Sequence, residues 1–154
     1  MNKIAMNKNN VRHGIKLLLI SIILRLASFV FFSFSWQWSN IFVRIMEVIV
    51  GILFLGSWLI YGLRNKTGFK NGLIIGLIGT SDALLLIVVS LVLFINRGTY
   101  YFGPIEMMVW NFPLMGILNI SSQIPDSIIY AAPFCAIFLT AIGSLKKKGE
   151  KQDS

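Results

Sequence analysis

Three charged side chains set inside apolar runs are the residues best placed to do chemistry. Arg25 sits at the centre of IILRLASF, Glu47 lies inside the run from Ile41 to Gly62, and Asp82 interrupts Gly72–Ile95. In lipid, a charge at helix mid-depth costs about 3 kcal/mol on insertion scales and faces a partner, a bundle interior or water. Counted from the basic ends of their runs, Arg25 and Asp82 are each about ten residues in, ~15 Å deep at helical rise. They are expected to pair across helices, with Glu47 as a second partner for Arg25. Such a pair has two roles open to it. It can fix helix register while neutralising two charges, or it can lie on a proton or solute path with Asp82 or Glu47 titrating.

Other chemistry is sparse. Ser81 and Asp82 put a hydroxyl beside a carboxylate, but no His or Lys lies at that depth to act as base. Glu106 and Asp126 are twenty residues apart and could meet in space, but a paired-carboxylate enzyme is not the expected reading. His13 is the one histidine and Cys135 the one cysteine, which excludes a His-rich or Cys-rich metal site, a dithiol redox pair and bis-histidine haem ligation. The signatures of serine hydrolases, zinc proteases and phosphate-binding loops are missing. No catalytic residue, metal or cofactor is expected, and the chain reads as a non-enzyme.

The elements carrying these residues follow from composition. Of 154 residues 56% are hydrophobic and 13% charged, half the charge of a soluble domain. The apolar residues come in blocks of about twenty, the length that crosses a bilayer as a helix. The expected fold is all-α, an integral membrane four-helix bundle with spans at about 15–34, 41–62, 73–95 and 127–145. Residues 1–14 form a basic leader and 146–154 a polar tail. The leader and first run look like a signal peptide, but the run is too long and lacks a cleavage site, so an uncleaved first span is expected. His13 is then expected in a solvated tail. Trp36, Trp38, Trp58 and Tyr61 flank span ends as interfacial anchors do.

Charge counting sets the topology. With four spans, eleven Lys and Arg fall on one side and one on the other; a fifth span near 105–124 makes it seven against five. The positive-inside rule favours four spans with both termini cytoplasmic. The formal net charge of +8 is thus a topology signal and not a nucleic-acid patch. Residues 96–126 then lie on the outer face as a re-entrant or interfacial helix. Glu106, Trp110, Asn111 and Pro113 are its candidate recognition residues. Twenty-three Ile against seven Ala fits an AT-rich coding genome, so a bacterial cytoplasmic membrane is expected.

Gly72, Gly76 and Thr80, with Gly79 and Ala83 beside them, form a ridge of small residues that lets another helix approach closely. Packing inside the bundle is the favoured use, homodimerisation the other. Function then falls into two classes. One is a non-enzymatic accessory, interaction or immunity-type membrane protein, with the lipid bilayer and a membrane protein or second copy as partners. The other is a small oligomeric transporter or channel using the mid-membrane charges.

Overall fold

Apolar blocks without strand-like alternation satisfy their backbone groups most simply within helices. The computed structural model describes residues 8–35, 41–97, 110–114, 117 and 127–145, and among these the regular structure is all helical. Five helices run α1 (Lys8–Ser35), α2 (Ile41–Asn65), α3 (Phe69–Gly79), α4 (Ser81–Arg97) and α5 (Ser127–Gly143), with a 3-10 turn at Phe112–Leu114.

Two of these, Lys8–Phe31 within α1 and Ile41–Asn65, are each long and apolar enough to cross a membrane. The expected continuous helix over 73–95 is corrected: it starts at Phe69 and is broken at Thr80, where α3 and α4 meet at 59°. Thr80 stands at the break. Its backbone N–H (2.9 Å) and its hydroxyl (3.0 Å) both donate to the carbonyl of Gly76, a back-bond that bends helices. At 17 residues, α5 is apolar but spans only ~26 Å.

α3 lies between α1 and α5, and α5 packs on α2. Small residues allow this. On α5 and just past its end, Ala132, Ala136, Thr140 and Ser144 recur every fourth position and all are buried. Opposite them lie the glycines of α3: a Cβ on Gly72 would meet the Ser144 side chain at 2.7 Å, and one on Gly76 would meet the Ile137 Cα at 2.9 Å. On the other side of α5, Gly62 of α2 crosses Gly143. A Cβ on Gly62 would run into the Thr140 carbonyl, and one on Gly143 into the Leu59 carbonyl. Gly72, Gly76, Gly79, Thr80 and Ala83 are all buried. The core gathers Leu17, Phe54, Trp58, Ile75, Ala83, Trp110 and Leu114.

One end of the bundle is tied by polar contacts. Asn10 Nδ2 donates to Asn71 Oδ1 (2.9 Å), and the Gly68 N–H donates to the Ser144 carbonyl (2.8 Å). Gly68 holds φ +89, which glycine adopts without strain. The start of α1, the end of α2, the start of α3 and the end of α5 therefore meet here, with Lys8, Arg12, Lys16, Arg64, Lys66 and Lys70 around them.

His13 is not in a frayed tail. α1 begins at Lys8, and the imidazole packs edge-on to Tyr61 with ring centroids 6.2 Å apart. The Tyr61 hydroxyl donates to the His13 carbonyl (3.0 Å) and lies 3.2 Å from Nδ1.

Candidate functional site

The inward stripe of α1 is small and polar. Asn10, Gly14, Leu17, Ser21 and Ser28 are buried along it, and Arg25 shares the face. The steps are all of three or four residues, which keeps one seam turned toward the bundle. The outward faces carry Leu19, Ile23, Leu26 and Val30, all exposed.

Arg25 meets Asp82 at the root of α4. Its terminal nitrogen donates to Asp82 Oδ2, and the two side chains are 11% and 30% exposed. Its Nε donates back to the Ser21 carbonyl at 3.3 Å. The helix break changes what Asp82 is. Instead of a carboxylate in mid-helix, it sits in the first turn of α4 and its Oδ1 accepts the Ala83 N–H at 2.9 Å. A helix N-terminus carries partial positive charge and unpaired N–H groups, so it is the favourable end for an anion. Asp82 is thus held by a guanidinium on one oxygen and a helix start on the other.

Trp110 completes the centre. It is fully buried, with the Arg25 guanidinium carbon 5.7 Å from its ring centroid, close enough for a cation–π attraction of about 1 kcal/mol. It stands edge-on to Phe54 at 5.7 Å and tilted to Trp58 at 6.4 Å. Asn111, Pro113 and Leu114 follow it between α1 and α2. Gly51 forms the seat for this stretch: a Cβ there would be 2.7 Å from the Ile117 side chain and 3.0 Å from the Pro113 carbonyl. The chain therefore runs along α2 from the level of Trp58 back to that of Gly51.

This corrects the placing of the recognition candidates. Trp110, Asn111 and Pro113 are in the interior and offer no outward surface. Burying an indole on three aromatic and cationic neighbours outweighs leaving it at an interface. Glu106 lies outside the described residues. Glu47 is half-buried on α2, and the charge acting on it is Arg44, three residues before it. Arg25 takes Asp82 as its ion-pair partner rather than Glu47.

The centre also holds polar groups with no protein partner. The indole N–H groups of Trp58 and Trp110 and the hydroxyl of Ser21 are buried without one. Each unpaired buried group costs about 1–3 kcal/mol, so the interior has hydrogen-bonding capacity left over. Chemically the site can hold a neutralised charge pair and a few polar contacts. Among the described residues there is no nucleophile with a base beside it at this site, and no group of three His, Cys, Asp or Glu could hold a metal.

Trp58, expected as an interfacial anchor, is instead fully buried in the core, and the burial of Ser21 and the His13–Tyr61 contact are not foreseen from the sequence. A signal for Ser21 existed: Gly14, Ser21, Arg25 and Ser28 fall on one helical face of an otherwise apolar segment. Comparison with protein-family models, with curated proteins and with solved structures finds no match for this chain.

Proposed function

We propose that this chain is a multi-pass integral membrane protein with four spans and both termini in the cytoplasm, serving as a non-enzymatic accessory or interaction protein. The observation that carries the membrane assignment is the inverted surface of the bundle. Large apolar side chains such as Ile23, Leu26, Phe42, Ile52, Leu53 and Leu85 face outward, while Ser21, Ser28, Thr80 and Thr140 are buried. Water favours the opposite arrangement; a bilayer favours this one. The six basic residues at the Asn10–Asn71 end mark the cytoplasmic side. The stretch from Trp110 to Ile117 is then a re-entrant segment entered from the outer face.

The accessory role rests on α4. After the 59° bend its described side chains are exposed or half-buried except Ala83, leaving Leu85, Val88, Leu91 and Val92 turned outward. An apolar helix turned away from its own bundle suits lateral contact with a second membrane protein or a second copy.

Two measurements test this. Alkaline carbonate should leave the chain in the membrane pellet; release into the supernatant overturns the membrane assignment. Affinity purification in mild detergent should bring down a stable partner or a second copy, lost when Leu85, Val88 and Val92 are all changed to Ala. A lone monomer in both samples overturns the accessory role.

A second reading, a small oligomeric transporter or channel, is favoured by Arg25–Asp82 lying beside the unpartnered Trp58 and Trp110 N–H groups. Broken helices and buried charges recur where transporters bind solutes. Flux in proteoliposomes that vanishes in Asp82→Asn would select it.

A further inference from the structure

Lys8, Arg12 and Lys16 stand at successive four-residue steps on α1 and all three are exposed. Together with Asn9, Val11 and Ile15 they line a groove of about 650 Å³. The first acidic residue of the chain is Glu47, so no carboxylate on α1 answers this row. Like charges one turn apart repel along a helix, and a counter-charge relieves such a row. Beside this row lie exposed apolar side chains, Ile15 at 47% and Leu19 at 55%. The groove thus sets a row of cations beside apolar side chains, a strip that Leu19 extends along α1.

We propose that this groove binds an anionic phospholipid, its phosphodiester headgroup on Lys8, Arg12 and Lys16 and its acyl chains along Val11, Ile15 and Leu19. The inference rests on the membrane reading given above. A soluble anion would meet the charges but leave the apolar floor bare. A nucleic acid would find three cations on one helix and no flat basic face. An anionic lipid matches both parts at once, and the negative inner leaflet supplies it. Three side chains in a row reach more than one headgroup oxygen, which distinguishes this groove from a single snorkelling lysine.

The test uses the full chain purified in neutral detergent and doped with equal amounts of phosphatidylglycerol and phosphatidylcholine. Native mass spectrometry should show phosphatidylglycerol retained at least fivefold over phosphatidylcholine. The Lys8→Gln/Arg12→Gln/Lys16→Gln variant should lose that preference, and 0.5 M salt should reduce it in the unaltered chain. Should the triple variant fail to fold, Arg12→Gln alone should lower the preference by half or more. Glycerol phosphate at millimolar concentration should not displace the lipid; displacement would assign the groove to free phosphates and overturn the lipid. Equal retention of both lipids, or an unchanged preference in the variants, also overturns it. Carbonate extraction of the same protein separates the two failures. Release from the membrane defeats the membrane reading, whereas retention without lipid preference defeats only this inference.

Discussion

Arg25 and Asp82 are joined at the point where the interior of one helix passes the beginning of another. The guanidinium comes from the middle of α1 and the carboxylate from the first turn of α4. The anion has a helix start as well as a cation to stabilise it, whereas the cation, 11% exposed, has the carboxylate, one carbonyl and an indole face. Loss of the carboxylate should therefore harm the fold more than loss of both charges.

That asymmetry gives the first prediction. Asp82→Leu should destabilise the chain by ~3 kcal/mol, because it leaves Arg25 buried without a counter-charge. Arg25→Leu/Asp82→Leu should recover most of this loss. Thermal unfolding in detergent measures both, and a double variant no better than Asp82→Leu alone would show that the pair is not what holds α4.

The crossing of α2 on α5 gives the second. Gly143→Ala places a methyl against the Leu59 carbonyl and should cost about 1–3 kcal/mol. Gly56→Ala, on the same α2 helix, meets nothing within 4 Å and should be neutral or stabilising by ~0.5 kcal/mol. Unfolding midpoints of the two variants moving in the same direction would contradict the crossing.

Trp110 gives the third. Trp110→Ala removes a fully buried indole from Phe54, Trp58 and Arg25 and should cost about 3–5 kcal/mol. Trp110→Phe keeps the aromatic contact and removes an N–H that has no protein partner, so it should cost far less, ~1 kcal/mol. Equal losses in the two would mean that the indole N–H has a partner after all.

The fourth concerns the basic end. Tyr61→Phe deletes the hydroxyl that bonds the His13 carbonyl at 3.0 Å and should cost about 1 kcal/mol. Amide exchange near His13 should rise with it, while exchange in α5 stays unchanged. Faster exchange throughout would give Tyr61 a wider role than this contact.

Much of the helical layout is legible in the sequence because length, apolar content and the spacing of charges act directly on it. Arg25 and Asp82 are matched by helical rise alone, and the ridge of Gly72 and Gly76 shows in its four-residue step. The break at Thr80 is hidden because the apolar run continues through it. The cue is local: Thr80, Ser81 and Asp82 are three residue types that favour helix starts, placed in succession. Trp110 is opaque for another reason. An aromatic side chain suits an interface and a core equally, and the neighbours that decide it, Phe54, Trp58 and Arg25, come from distant parts of the chain. His13 is misplaced when α1 is begun at the first apolar residue, since a helix does not end where its surroundings become wet.

The separation of the ion pair along the chain has a consequence for how the protein is made. Arg25 and Asp82 are 57 residues apart. At synthesis rates of about 5–20 residues per second, the cation precedes its anion by roughly 3–11 seconds. On the membrane reading proposed above, α1 therefore stands with an unneutralised charge until the segment that carries Asp82 is delivered.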